Sequence, residues 1–470
     1  MTHLPAIRDL VAGEWTEPAG DLGFDLEDPA TGEPVARALA TSSGQVERAL
    51  GTAEKATGRV GPETLEAIAD TLDRRLGEIV TLESFATGVP IRQTTPLGMI
   101  ISGSFRLAAA QIRDGALYGT ATREDGRQVE VHRLPLGPAL CLVPWNAPAP
   151  MAAHKVANAL AAGCPTILKV SEFAPYGSQL LAEVIAEHVP DGMFQSVHGG
   201  PETGAHLVGD PRIRAVSFTG GLSAGRLVAQ AGAPLLRPLQ LELGGNNPLV
   251  VLPDAEVEPA ARMAAELLTT LNGQWCRALG RLIVPRDRAA EIIEATGARL
   301  AALTPGPPLD ERTDLGPLVH SRHLSRVRTA VAALAGTATP YGRMPGHGNF
   351  LAPTLVTGAD LEDEIFGPVA SVVPYDDVEE AVVLANAVPY GLEGYVCGAD
   401  EDAALAVARR IRAGEVKVNG SSIMSLHLMT PRPAWALSGL GEEGTGETLR
   451  FFTGARVVGV EGGFALHTAS

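Results

Sequence analysis

Between residues 138 and 253, short apolar runs alternate with longer stretches whose apolar positions recur at helical spacing. The runs 139–143, 166–170, 194–198, 215–219, 239–243 and 249–252 read as strands, and 149–162, 178–188, 201–208 and 222–230 read as the helices between them. Strands apolar on both faces and joined through amphipathic helices predict a parallel sheet covered on both sides. After residue 256 a second series of the same kind begins. Its helices are expected at 257–272, 288–303, 321–334, 378–386 and 402–413, with strands near 282–284, 371–374, 395–397 and 415–418. The expected fold class is therefore α/β, with two Rossmann-like lobes built on parallel sheets.

The N-terminal part differs. A turn-rich stretch, Asp28-Pro29-Ala30-Thr31-Gly32, precedes helical patterns at 44–55 and 63–86. The second carries Leu65, Ile68, Leu72 and Leu76 on one face and meets its stop signal at Gly88 and Pro90. Residues 118–136 alternate around Glu124-Asp125-Gly126, the signature of a hairpin too polar to be core. One further strand pattern, 455–460, lies near the C-terminal end.

Composition narrows the function. At roughly 150 residues per domain, 470 residues hold two or three domains. With 45% apolar and 19% charged residues the chain is globular, not disordered. Lys+Arg 37 against Asp+Glu 54 gives a net charge of −17, which repels nucleic acid and anionic lipid, so neither is an expected partner. Cys141, Cys164, Cys276 and Cys397 are too scattered for a disulfide framework, and none has zinc-ligand spacing, so no metal site is expected. No signal-peptide core and no membrane-length apolar run is visible, and a cytoplasmic location is the expectation. Only Lys55, Lys155, Lys169 and Lys417 are lysines, so each of these positions either needs a compact ammonium or is a surviving surface residue.

Four places invite chemistry, each with a plainer reading beside it. Gly220-Gly221-Leu222-Ser223-Ala224-Gly225 leads from a strand into a helix, where backbone N–H groups meet a pyrophosphate in many proteins, though such turns are often merely glycine-rich. Cys276 follows a helix end at Gly273 and lies between Trp275 and Arg277; it is either inert packing or a nucleophile whose thiolate the cationic neighbour favours. Glu242 interrupts an apolar strand, on the same face as Gln240, either surface-facing or a buried base. Asn146, between Pro144 and Pro148, is turn chemistry or an oxyanion donor.

Together with several further segments these residues resemble the aldehyde dehydrogenase superfamily. The resemblance rests on Pro144-Trp145-Asn146, Lys169-Val170-Ser171-Glu172, Phe218-Thr219-Gly220, Glu242-Leu243-Gly244-Gly245, Gly273-Gln274-Trp275-Cys276, Glu364-Ile365-Phe366-Gly367-Pro368-Val369 and Pro389-Tyr390-Gly391-Leu392, in family order over nearly the whole chain. It implies oxidation of an aldehyde to an acid with NAD, NADP being possible. Cys276 would form a thiohemiacetal and then a thioester, Asn146 would hold the oxyanion, and Glu242 would activate the hydrolytic water, with Lys155 and Glu443 relaying protons. Lys169, Glu172, Thr219, Gly220, Gly225, Trp145, Gly244, Glu364 and Phe366 would bind the cofactor. Glu172, facing the ribose, disfavours a 2′-phosphate. Ala147, Met151, His154, Trp275, Arg277 and Arg432 would line the aldehyde pocket. The implied division is a NAD-binding domain (1–117 and 136–244), a catalytic domain (245–452) and an oligomerisation segment (118–135 and 453–470) that assembles a homodimer or homotetramer.

The chain also departs from the family pattern. Gly221 replaces a usual Ser, Ala147 a larger side chain, and His154 a frequent aromatic. Pro431-Arg432-Pro433-Ala434 stands where the family has Pro-Phe-Gly-Gly, Ala436 where a Lys is common, and Gly441-Glu442-Glu443 where Gly-Arg-Glu is usual. Arg432 either anchors an anionic group on the substrate or turns outward to solvent. Two competing functions are a coenzyme-A-acylating dehydrogenase, which the presence of Glu242 argues against, and an idle family member acting as a binder, which the retention of Cys276, Glu242 and Asn146 argues against.

Overall fold

The computed structural model describes residues 4–461, in an α/β architecture with two large sheets. In the first, the strands Phe194–Val197, Thr166–Lys169, Ala139–Leu142, Ala215–Thr219 and Leu239–Glu242 lie side by side in parallel. Their residues are almost entirely buried on both faces, as the continuous apolar runs require. Two short strands from the N-terminal segment, Asp9–Val11 and Glu14–Thr16, close one edge antiparallel, and Gly439–Leu440 closes the other. These edge strands are too short and polar to show in the hydrophobic pattern.

The second sheet runs Thr337–Pro340, Thr354–Thr357, Val369–Tyr375, Leu279–Pro285, Asn247–Val251, Glu393–Cys397 and Glu415–Val418, parallel throughout except for its first strand. The strand expected at 249–252 thus belongs to this sheet and does not continue the first series. Between Glu242 and Asn247 the chain passes from one sheet to the other.

The helices follow their local signals. Ser42 caps Ser43–Lys55 in a reciprocal capping box with Gln45. Pro62–Thr87 starts on a proline and stops at Gly88, whose φ of 77° is left-handed. Two helices escaped the sequence reading, Ile91–Leu97 and Met99–Arg113, because Pro96 and Gly98 interrupt what is otherwise an apolar helical pattern. The helix expected at 257–272 ends at Thr269, since Leu271, Asn272 and Gly273 all take positive φ (51°, 58° and 73°). The one expected at 402–413 spans only Glu401–Ala408. A separate three-stranded sheet places Gln128–Pro135 between Tyr118–Thr122 and Thr453–Gly459.

Helix Pro148–Ala161 is buried along most of its length and packs on Met99–Arg113. At its start the Ala149 N–H donates to Glu83 Oε1 at 3.0 Å, a contact made inside the protein by a carboxyl group from Pro62–Thr87. Burial pushes this carboxyl up to about 8, and the Ala149 N–H opposes only part of the shift. An unfolded Glu83 ionises in the ordinary carboxylate range, whereas the folded one keeps its proton to about pH 8. Its contribution to stability is complete below the ordinary range and is lost as pH rises through that window. Glu83→Gln removes this titration. In thermal melts from about pH 5 to about pH 8, the Tm of the variant should therefore rise relative to that of the unchanged protein; a constant difference would show that Glu83 does not titrate there.

Candidate active site

The carboxyl ends of the first sheet's parallel strands deliver Asn146, Thr219, Gly220 and Glu242 to one cavity of about 260 Å³. Open α/β sheets place ligands at this edge. Cys276 reaches the same cavity from the opposite side, on the loop between Thr270–Gly273 and Leu279–Pro285.

That loop is held along its length. Asn272 Nδ2 donates to the carbonyls of Gly88 (2.9 Å) and Pro317 (3.0 Å), and its Oδ1 accepts from Gly316 N–H. Gln274 Oε1 accepts from Val319 N–H, and Asn146 Nδ2 donates to the Gln274 carbonyl at 2.8 Å. Asn247 Nδ2 donates to the carbonyls of Cys276 (2.9 Å) and Ala278 (2.8 Å). At Gly273 the left-handed backbone runs so close to Pro368 that a Cβ would lie 2.3 Å from its nitrogen. A glycine is required there.

Cys276 Sγ donates to Glu242 Oε1 at 3.2 Å. Glu242 is therefore not surface-facing; both it and Gln240 are buried, because the strand is covered on both faces. Burial, and then the charge of Glu443, raise the Glu242 carboxyl. Burial and the neighbouring Glu242 also push the Cys276 thiol well above its ordinary value. Arg277 acts on the thiol in the expected direction but does not decide its state. Arg277 does lower the thiol's value, but burial and Glu242 outweigh it, and its guanidinium is engaged by buried Glu393 with Glu415 at 3.6 Å. Lys417 completes this ion cluster, 3.2 Å from Glu393. The other cysteines, Cys141, Cys164 and Cys397, are buried.

Behind Glu242, Lys155 Nζ donates to Glu443 Oε1 at 2.6 Å and to Ser217 Oγ at 2.8 Å, and Ser217 donates to Gln240. Burial alone would raise the Glu443 carboxyl, but the Lys155 ammonium holds it low. Lys155 is completely buried and is no surviving surface residue.

On the cavity's other flank, Gly245 N–H donates to Glu364 Oε1 at 3.0 Å, and burial lifts the Glu364 carboxyl to about 7. A Cβ on Gly244 would sit 2.1 Å from Glu364 Oε2. The Phe366 ring stands edge-on to Trp145 at 5.3 Å, and His323 packs on Trp145 at 5.0 Å while its Nε2 bonds the Phe366 carbonyl. Lys169 and Glu172 pair at 3.1 Å beyond the end of strand Thr166–Lys169, outside the cavity wall. Gly225 is also outside the wall. A Cβ there would meet the Leu243 side-chain methyls at 2.5 Å, so Gly225 serves the close packing of helix Leu222–Gly232 on the sheet.

These features suit a dinucleotide. Thr219 Oγ1 is buried without a hydrogen-bond partner, a Cβ on Gly221 would meet nothing within 4 Å, and the amides opening helix Leu222–Gly232 have no side-chain cap. That is a cradle with free donors for phosphate oxygens.

Ala147, Met151, His154, Trp275, Arg277 and Arg432 all line the cavity. His154 Nε2 bonds Thr448 Oγ1 at 3.1 Å, and burial lowers the imidazole to about 4, so the ring is neutral at neutral pH. Arg432 faces inward, which removes the solvent-facing reading. The sequence reading missed Leu97, Ile100, Leu271, Ile423, His323 and Arg326 on the same wall. The apolar alternation through Pro96 was the available signal for Leu97 and Ile100; nothing local marks the rest.

Alkylation tests the thiol's environment. Iodoacetamide should modify Cys276 slowly at neutral pH and faster as pH rises, because the thiolate is the reacting form. Glu242→Gln removes the charge that disfavours the thiolate and should move this profile to lower pH. An unchanged profile would separate the two groups.

Residues 15–458 match the aldehyde dehydrogenase family. A betaine aldehyde dehydrogenase of Agrobacterium fabrum is 32% identical, with 98% of this chain and 97% of that protein covered. A 3-succinoylsemialdehyde-pyridine dehydrogenase of a Pseudomonas species is 33% identical, with 92% and 94% covered. Among solved structures, an aldehyde dehydrogenase C variant from Pseudomonas syringae, in complex with NAD+ and octanal, has a TM-score of 0.90 at 30% identity, with 97% and 98% covered. A Mycobacterium tuberculosis aldehyde dehydrogenase complexed with NAD+ gives 0.91 at 30% identity, with 98% and 99% covered. The chain belongs to the aldehyde dehydrogenase family and is an NAD-dependent oxidoreductase that converts an aldehyde to a carboxylic acid.

Proposed function

We propose that Cys276 is the nucleophile of this oxidation and Glu242 the base that serves it. The contact of Cys276 Sγ with Glu242 Oε1 at 3.2 Å inside one cavity carries the assignment. A thiol held well above its ordinary value needs a base at hand, and a carboxyl raised by burial is a stronger base than an exposed one. Glu242 takes the thiol proton as sulfur bonds to the aldehyde carbon, and the carbonyl electron pair moves to oxygen. That oxyanion is held by the Asn146 amide and the Cys276 backbone N–H. NAD+, when bound, supplies the hydride acceptor. The acyl group left on Cys276 is a thioester. Once Glu242 has given the thiol's proton up to solvent, it removes a proton from water as this adds to the thioester; collapse releases the acid and the Cys276 thiolate, which takes that proton back from Glu242. The Lys155–Glu443 pair keeps a fixed charge distribution behind Glu242, which disfavours its ionisation through Glu443 and favours it through Lys155.

The first sheet's lobe would hold the dinucleotide, with Lys169 and Glu172 at the adenine ribose. Thr219, Gly220 and the free helix amides would take the pyrophosphate, Glu364 the nicotinamide ribose, and Trp145 and Phe366 would pack beside it. A carboxylate at Glu172 repels a 2′-phosphate and favours NAD over NADP.

The three-stranded sheet leaves Val457 and Val458 exposed (66% and 47%) on an edge strand. Such an edge calls for a partner. We assign it to assembly of a homodimer or homotetramer. Val457→Lys with Val458→Lys should lower the mass measured by analytical ultracentrifugation; an unchanged mass would place the contact elsewhere.

Cys276→Ala should abolish NADH formation while NAD+ still binds. Glu242→Gln should retain a single-turnover burst of NADH, if weaker, yet lose steady-state turnover by about 100-fold or more, since hydrolysis depends fully on the base. Stopped-flow absorbance distinguishes these outcomes. Parental turnover in both variants would overturn the assignment.

A further inference from the structure

Arg432, like Arg277 and Arg326, is a cationic group on the cavity wall that the reaction above does not use, and unlike Arg277 it has no carboxylate partner. Its position is fixed by the backbone, since Arg432–Pro433 pairs antiparallel with Glu442–Glu443. A Cβ on Gly414 would lie 1.8 Å from the Pro433 carbonyl, so the strand has no room to move that way. Arg432 Nε is buried and has no hydrogen-bond partner. Among the described residues no carboxylate lies within ion-pairing distance of its guanidinium. The acidic groups nearby are already engaged: Glu443 by Lys155, Glu393 by Arg277 and Lys417, and Glu242 by Cys276. Arg277 adds a second positive charge close by, and burial together with that charge works against the Arg432 cation. An arginine nonetheless stays protonated in proteins.

With Nε buried and unpartnered and the terminal nitrogens turned to the cavity, the guanidinium offers its fork to a ligand, and one that meets an oxyanion in a bidentate pair makes one of the stronger polar contacts available. The remaining wall is largely apolar, with Leu97, Ile100, Met151, Trp275 and Ile423. Resting on the aldehyde-oxidising reading above, we propose that the substrate is an aldehyde bearing a carboxylate at its far end, which Arg432 receives while the carbonyl carbon meets Cys276. Arg432 is then a specificity-determining residue, and the product is a dicarboxylate.

The test compares matched aldehydes with NAD+: 4-carboxybenzaldehyde against 4-methylbenzaldehyde, and succinic semialdehyde against butanal. The protein should favour the carboxylated member of at least one pair in kcat/KM by about ten- to a hundredfold. In Arg432→Met that ratio should fall to near one, mainly through a higher KM for the acid. Arg432→Lys, which keeps the charge without the planar fork, should lie between. NAD+ affinity and melting temperature of the variants check that they are folded; if Arg432→Met does not fold, the Lys variant and the parent's preference carry the test. NADH from neutral aldehydes with no preference for the acids overturns this inference and leaves the aldehyde-oxidising reading intact. Equal loss for acid and neutral substrates in both variants overturns it too, since Arg432 would then serve the pocket's structure. No NADH with any aldehyde overturns the activity itself, and this inference with it.

Discussion

Glu242 ends the last parallel strand of the first sheet, and a few residues later Asn247 begins a central strand of the second. The crossing between them brings the reacting groups together. Gly245 passes so near the nucleophile's loop that a Cβ would come within 2.7 Å of the Cys276 carbonyl, and Gly244 is as tightly set against Glu364. Asn247, at the start of the next strand, ties down the Cys276 and Ala278 carbonyls. One short segment therefore positions the base, the thiol's loop and the carboxyl group on the cofactor side, and larger side chains at either glycine would push these groups apart.

The alternation of apolar runs and amphipathic stretches made both parallel sheets legible, because strands buried on two faces and helices buried on one leave different periodicities. Where burial is partial the signal fails. The antiparallel strands Gly23–Glu27 and Pro34–Leu39 are exposed or half-buried over most of their length and left no strand pattern to read, and Pro96 hides two helices whose side chains reach the cavity. At the site, residue identities and their grouping were legible through motif order. Side-chain direction was not. Arg277 adjoins Cys276 in sequence, yet its guanidinium turns to Glu393 and Glu415, partners from distant strands that no local pattern connects to it. Conversely, Arg432 is remote in sequence from every other cavity residue except Ile423, Glu443 and Gly444, and the strand pairing with Glu442–Glu443 aims it inward.

Charge is arranged around the cavity with little redundancy. Lys155 meets Glu443, Arg277 and Lys417 meet Glu393, and Glu364 accepts a backbone N–H. In a low-dielectric site each such pair sets the field felt by its neighbours. Burial raises both the Cys276 thiol and the Glu242 carboxyl that accepts its hydrogen bond, so the resting site holds the sulfur as a thiol beside its base and does not expose a free thiolate to oxidants.

The first sheet is completed from far along the chain. Gly439–Leu440 forms its outer edge beside Leu239–Glu242, and helix Thr445–Phe451 packs on Pro148–Ala161, the helix that carries Lys155. During synthesis, then, the earlier lobe emerges from the ribosome with one sheet border bare and the flank of that helix uncovered, and it stays so while the whole second sheet is translated. Maturation of the catalytic centre is in this sense a late event of biogenesis, and the nascent intermediate is the species in which chaperone protection matters most.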